Sequence, residues 1–596
     1  MAIDSADCQN VTALFMAQAE AKGDAPFLWA KQDGQWVSRS WAGVRADVLD
    51  LAAGLVALGL NPGDRVMLVA ENRPEWAIAD LAIMTAGGIS VPAYTTNTPA
   101  DHLHILNNSG ARFVITSTRA LAEKVMAAAW QASCPPTVIA IHPPEVRQSS
   151  GGGLISWADA LALGRSGQSG LARTMAAPQR QDPACIIYTS GTGGAPRGVV
   201  LSHGALMSNA KGARRLVESI TDGNDVFLSF LPLSHAYEHT AGLILPILIG
   251  AQIYYAESIE ALVANMAEAR PTIMTAVPRL YEMMRVRILH GLRRQSATKQ
   301  YLFNKTVELG IKRYKQGRLG PLDALMDRVL DRLVRDKVRQ RFGGRLAAMV
   351  SGGAPLAFEV GLFFTALGVR ILQGYGQTEA APVICANHPR RIKIDTVGPA
   401  LEGVEVRIAA DGEILVRGEN VMNGYWNDPA GTANVLRDGW LHTGDIGELD
   451  EDGYLRITDR KKDIIVNSGG DNISPQRVEG FLTLAPELAQ AMAHGDRRPH
   501  LVALVVPDAE WAAEWARGRD KPTELAVLAE DAEFRQAVQQ AVERVNKTLS
   551  TIEKVRKVVV AGEPFTTENG MLTPTMKIRR HVIRKVYGDR LEALYG

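Results

Sequence analysis

Cysteine is scarce: the 596-residue chain carries four, Cys8, Cys134, Cys185 and Cys385, far apart and without metal-ligand spacing. That excludes a disulfide framework and a thiolate metal cluster; the four are expected to be reduced, buried small hydrophobes of a cytoplasmic protein. Charge of one sign is lacking too. The formal net charge is +1, so no global field draws the chain to nucleic acid. Long apolar runs are also absent. The longest, AGLILPILIGAQIYYA at residues 241–256, contains Pro246, Gly250 and Gln252. It falls short of the roughly 20 apolar residues of a transmembrane segment and reads as a buried helix–turn–strand. The first residues, MAIDSADCQNV, have neither the basic start nor the apolar centre of a secretory signal. No repeat or low-complexity tract stands out, and SSGGG at residues 149–153 reads as a short surface loop.

What is present is an ordinary globular balance, 46% apolar and 22% charged, in a chain too long for one compact core. Apolar β-rich runs at residues 65–70, 89–93, 112–116 and 137–141 alternate with helical patterns such as residues 75–86. Buried strands separated by helices predict crossover units and parallel sheets. Shorter strands between residues 404 and 457, with turn signals Asp411-Gly412 and Asp452-Gly453, predict a compact β-rich subdomain. Beyond Arg460 the pattern is mixed again, with a helix expected over residues 531–549. The fold class expected is α/β: a large domain over residues 1–459, its β-rich subdomain at about 400–459, and a small mobile α+β domain over 460–596.

One helical stretch, residues 285–341, has 16 Lys/Arg against 5 Asp/Glu. It reads either as a solvated helical hairpin or as a face for anionic lipid, which would bring the protein to the inner surface of a membrane as a peripheral partner.

The strongest local signal is IIYTSGTGGAPRG, residues 186–198. A buried strand enters a loop of hydroxyls and glycines that ends in a cation: Thr189, Ser190, Gly191, Thr192, Gly193, Gly194 and Arg197. Glycine lets backbone N–H groups wrap a polyphosphate, hydroxyls add donors, and Arg197 adds charge. It is not a Walker A loop, because Val199 follows Gly198 and no lysine precedes it.

This loop resembles the phosphate-binding signature of the adenylate-forming (AMP-binding) superfamily, usually written YTSGTTGxPKG. Gly193 stands where a second threonine is usual, and Arg197 replaces lysine with a side chain that also forks onto phosphate oxygens. Further matches follow in the family's order over nearly the whole chain. SGGAP resembles the turn against adenine, at Gly353, Ala354 and Pro355. QGYGQTE resembles the next motif, with Gln373, Gly374, Tyr375 and Gly376 at the base, Thr378 at the α-phosphate and Glu379, together with Thr192, holding Mg²⁺. In WLHTGD the resemblance assigns Asp445 to the ribose hydroxyls, with Arg460 assisting. Lys577 matches the lysine that reaches the α-phosphate and the substrate carboxylate, and Lys462 matches the hinge between the two domains. Gly469 and Gly470 either line a pantetheine channel or make a simple turn.

The segments ENRPEW, VPAYTTNTP, LPLSHAYEH and VPRLYEMM resemble the long-chain fatty acyl-CoA synthetases within that superfamily. The resemblance therefore implies ATP, Mg²⁺ and CoA as cofactor and co-substrates and a fatty acid as substrate. His235 either borders the acyl channel or is structural. The activity implied is acyl-adenylate formation with release of pyrophosphate, then thioester formation with release of AMP. The alternatives are a CoA ligase for another carboxylic acid and a degenerate nucleotide- or acyl-binding protein.

Overall fold

The computed structural model describes residues 8–145, 153–174, 178–189, 196–461, 464–469, 471–573 and 577–596. Among them, two eight-stranded sheets form the frame of the large domain. Arg65–Val69, buried beyond its first residue, pairs in parallel with Ile89–Pro92 on one side and Phe113–Thr116 on the other. An apolar run without alternation requires cover on both faces, and a central parallel strand has it. Thr137–Ala140 and Leu154–Ser156 extend this sheet in parallel. On its other flank it ends in an antiparallel hairpin, Pro183–Thr189 with Arg197–Ser202, edged by Gly424–Tyr425.

The second sheet places Ile371–Gly376, Ala348–Ser351, Ile273–Ala276, Val226–Ser229, Gln252–Tyr255 and Pro26–Gln32 side by side in parallel. Its two edges, Val383–Ala386 and Gln35–Ser40, run antiparallel. The helix Pro74–Thr85 is buried along its whole length because it packs against strands of both sheets. Around it lies the main core, where Phe27 stacks on Trp41 at 3.6 Å between ring centroids.

That core contains an ion pair. Nε2 of His239 and Oδ2 of Asp80 are 2.8 Å apart, and both side chains are fully buried. Burial opposes the imidazolium, but the Asp80 carboxylate overrides it and lifts His239 from 6.5 to about 10. A raised pKa means that the pair's contribution is complete below pH 6.5 and lost as pH climbs through about 10. Asp80→Asn strands a buried cation; urea titration should show a loss of about 3–5 kcal/mol near pH 6 that narrows as the pH is raised. A pH-independent loss would mean that His239 is neutral in the folded chain.

Several further expectations can be compared with the structure, and two need adjustment; SSGGG lies mostly outside the described residues. Residues 241–256 form a helix–turn–strand: the π-helical segment His239–Ile244 runs into the helix Leu245–Ile249, the chain turns at Gly250 (φ +68°), and the strand Gln252–Tyr255 follows. No helix among the described residues is long and apolar enough to cross a membrane. The β-rich part is an antiparallel sheet of Val404–Ile408, Glu413–Gly418, Leu436–Arg437, Trp440–Leu449 and Leu455–Arg460. Here Arg460 pairs with Asp445, so the sheet runs one residue past the expected end of the large domain. Three cysteines are buried, but Cys134 is exposed in the loop after the helix Arg119–Ala129, where no core covers it.

After residue 464 a separate core forms on the strands Leu488–His494, Leu501–Pro507 and Val555–Val560. The helices Pro475–Leu482, Ala532–Asn546 and Arg580–Glu592 accompany it, an α+β arrangement. The helix expected at residues 531–549 is Ala532–Asn546, started by Asp531, whose carboxylate accepts from the Phe534 N–H at 2.9 Å.

Candidate active site

The motif residues gather because several parallel strands end at the same side of the large domain, where open α/β sheets hold their ligands. Thr189 closes the strand Pro183–Thr189, Ser351 closes Ala348–Ser351, and Gly376 closes Ile371–Gly376. Ser190, Gly191, Thr192, Gly193 and Gly194 lie outside the described residues; their two ends do not. Thr189 and Arg197 face each other across the antiparallel hairpin. The Arg197 guanidinium lies over the Tyr425 ring, 4.1 Å from its centroid, and 4.0 Å from the Asp428 carboxylate.

Tyr425 in turn donates its hydroxyl to Oε1 of Glu379 at 2.8 Å. A chain Arg197–Tyr425–Glu379 thus ties the hairpin to the turn Thr378–Ala380, in which Thr378 is buried. Two glycines have a steric reason to be here. Gly353 turns at φ +82°, leading into Ala354 and Pro355. A Cβ on Gly376 would stand 1.9 Å from the Pro382 carbonyl oxygen. Gln373 and Gly374 continue the same strand toward Tyr375.

Asp445 is the hub. Its buried carboxylate accepts the Tyr375 hydroxyl on Oδ2 at 2.7 Å and Nε of Arg460 on Oδ1 at 3.0 Å. Each oxygen has a further lone pair, so the group can still accept two hydroxyls from a ligand. Its main chain is set by Thr443, whose Oγ1 accepts from the Asp445 N–H at 3.1 Å while donating to Ile414 O at 2.7 Å.

Lys577 comes to this hub from the other lobe. It sits at the foot of a small loop in which its N–H donates to Oγ1 of Thr573 at 3.0 Å and its carbonyl accepts from the Thr573 N–H at 2.8 Å. Lys577 itself is solvent-exposed, with other protein groups near its ammonium. Desolvation by the neighbouring protein, then the positive charge of Arg460, push its ammonium down to about 8, against the pull of Asp445 and Glu379. His235 is pushed down to about 3 by burial first and by the Lys577 charge second. A neutral His235 ring accepts the Tyr237 N–H on Nδ1 at 3.2 Å. Lys577 is therefore within electrostatic reach of Glu379, Asp445, Arg460 and His235.

Gly469 lies in the turn between the strands Ile465–Val466 and Asn472–Ile473, where its N–H donates to Oδ1 of Asn467 at 2.9 Å. Gly470 and the expected hinge Lys462 lie outside the described residues. Sequence reasoning missed Tyr425 and Thr443. The only signal for Tyr425 was its place in the aromatic pair Tyr425-Trp426.

The chain belongs to the AMP-binding enzyme family, whose model matches residues 15–426; the model of the AMP-binding enzyme C-terminal domain matches residues 462–596. Among similar proteins is the long-chain-fatty-acid–CoA ligase FadD15 of Mycobacterium bovis, 33% identical over 98% of this chain and 97% of its own. The peroxisomal long chain acyl-CoA synthetase 6 of Arabidopsis thaliana is 32% identical over 94% of this chain and 82% of its own. Among solved structures, the adenylation domain of a carboxylate reductase from Mycobacterium chelonae has the same fold, with a TM-score of 0.75 over 99% of this chain and 91% of its own at 24% identity.

Proposed function

We propose that the protein is an AMP-forming ligase that joins a long-chain fatty acid to coenzyme A. The observation that carries the reading is that Lys577, on the small lobe, lies within electrostatic reach of Glu379 and Asp445 on the large one. The names of the similar proteins, long-chain ligases over nearly their full length, support the substrate class.

In the first step a carboxylate oxygen of the acid bonds to the α-phosphorus of ATP, and the bond to pyrophosphate breaks. Such a displacement is mostly positioning and charge stabilisation. We assign Asp445 to the ribose hydroxyls, Tyr375 and the turn at Gly353, Ala354 and Pro355 to the base, and Thr378 to the α-phosphate. Lys577 neutralises charge between that phosphate and the acid, and the hairpin loop with Arg197 takes the departing phosphates. Among the described residues no cluster of three or more acidic, histidine or cysteine side chains could hold a metal by itself. Glu379 does fit a magnesium ion that takes its other ligands from phosphate oxygens and water, and such an ion would screen the phosphate charge. In the second step the CoA sulfur bonds to the acyl carbon, the bond to AMP breaks, and the thiol proton passes to solvent.

We place the small domain after Arg460, at residues 461–596, and the pivot at Lys462, so that rotation there withdraws Lys577 after the first step and admits CoA. Gly469 and Gly470 are the proposed floor of the CoA path, and His235 a wall of the acyl channel.

The test is pyrophosphate release from ATP across saturated acids of increasing length, with and without CoA. Release that depends on acids of roughly twelve or more carbons, with acyl-CoA formed when CoA is present, is expected for this class of substrate. Preference for short or aromatic acids would reassign the acid, and no acid-dependent release would leave a binding protein.

A further inference from the structure

The basic segment contains a feature that its charge count hides. The helix Pro321–Leu330, PLDALMDRVL, buries Asp327 and Leu330 inward and turns an apolar face outward. Inward, Leu330 and Asp327 are buried; Asp327 accepts from Arg313 at 2.9 Å and from Arg335 at 2.7 Å, and Arg335 also donates to Ala366 O at 2.8 Å. This face is spent on anchoring the helix to the domain. Outward, Leu322, Leu325, Met326 and Val329 recur at helical spacing and are all exposed, and Leu333 continues them past the helix end. Leu322 is 84% exposed and Leu325 62%. Single exposed apolar residues need no explanation, but a contiguous stripe does.

The charges around the stripe say what covers it. The segment's carboxylates are consumed internally: Glu308 by Lys305, Asp323 by Lys312, Asp327 by Arg313 and Arg335, Asp331 by Arg335 and Arg339, and Asp336 by Arg339. Arg328 and Arg332, beside the stripe, and Lys315 and Arg318, at its entry, are exposed and have no ion pair among the described residues. We propose that this helix is a membrane-docking element, laying its apolar stripe into an anionic lipid surface while the surrounding cations meet the headgroups. An amphipathic helix lying in a bilayer interface has this combination of a leucine-rich face and unpaired cations. A second copy of the chain fits poorly, because it would oppose like charges and because three turns of helix offer far less than the roughly 800 Å² per partner of a stable dimer. Docking does not depend on the ligase reading; only its consequence does, that a long-chain acid partitions into the same surface.

The experiment is co-sedimentation of the full chain with vesicles of phosphatidylcholine alone or mixed with phosphatidylglycerol, at about 0.1 M and about 0.5 M salt. The wild type should bind the anionic vesicles and release them at high salt. Leu325→Glu with Val329→Glu should weaken binding by about tenfold or more. Arg328→Glu with Arg332→Glu should weaken it and flatten the salt dependence. Circular dichroism and acid-dependent pyrophosphate release with a long-chain acid held below its micelle concentration, without vesicles, serve as folding checks, since all four residues are exposed. No wild-type binding, or equal binding by the Leu325/Val329 variant, overturns the proposal. So does a wild-type dimer in light scattering that this variant converts to monomer.

Discussion

Lys577→Ala is expected to slow adenylate formation by about a thousandfold while leaving thioester formation from supplied acyl-AMP within about threefold of wild type. The first figure corresponds to about 4 kcal/mol of charge stabilisation withdrawn from a desolvated site, the size of effect a single aimed donor has on a transition state. The second follows from the proposed pivot, since a lysine withdrawn from the cleft cannot contribute to the step that follows. Single-turnover measurement of both half-reactions separates the two. Equal losses in both would refute the division of labour. A pH signature accompanies it. The Lys577 ammonium, pushed down to about 8 by desolvation and by Arg460, loses its proton earlier than an ordinary lysine. Because the protonated form is the active one, kcat/KM for ATP in the adenylation step should fall as pH rises through about 8. Lys577→Arg, which stays charged, should retain part of the rate and move that fall to higher pH. A wild-type profile flat to pH 10 would place the lysine outside the reacting centre.

Much of this site was legible in the linear chain because its parts are local. A strand feeding a glycine-rich turn puts Thr189 and Arg197 at one sheet end whatever the rest of the fold does, and the steric demands on Gly353 and Gly376 act within single turns. The parallel strands were legible for the same reason, since a run such as Arg65–Val69 is apolar without alternation. What could not be read depends on register between distant segments. Tyr425 reaches Glu379 only because the two-residue edge strand Gly424–Tyr425 pairs beside Arg197–Ser202. His239 and Asp80 are 159 positions apart, and nothing in either neighbourhood announces a buried ion pair. The stripe on Pro321–Leu330 marks the boundary of pattern reading: apolar spacing tells which residues share a helix face, not whether that face points to core or solvent.

Asp445→Ala tests the other half of the site, the grip on the nucleotide. In the free protein the carboxylate already orders two neighbours, accepting the Tyr375 hydroxyl at 2.7 Å and Arg460 Nε at 3.0 Å, so it is positioned before any ligand arrives. A preorganised buried carboxylate loses little on binding, and hydrogen bonds to a charged acceptor are worth about 1.5–3 kcal/mol each. Two ribose hydroxyls therefore predict a rise in KM for ATP of about a hundredfold to ten-thousandfold, with a smaller change in kcat. Tyr375→Phe, which removes one donor and keeps the carboxylate, should raise KM by about tenfold at most. The control that isolates the contact is 2′,3′-dideoxy-ATP. Wild type should discriminate against it by about the same factor that Asp445→Ala loses with ATP, and the variant should scarcely distinguish the two nucleotides. A variant that still prefers ATP by the wild-type ratio would show that the ribose is held elsewhere, and Asp445 would then be a structural link between the Ile371–Gly376 strand and the Trp440–Leu449 strand rather than a nucleotide ligand.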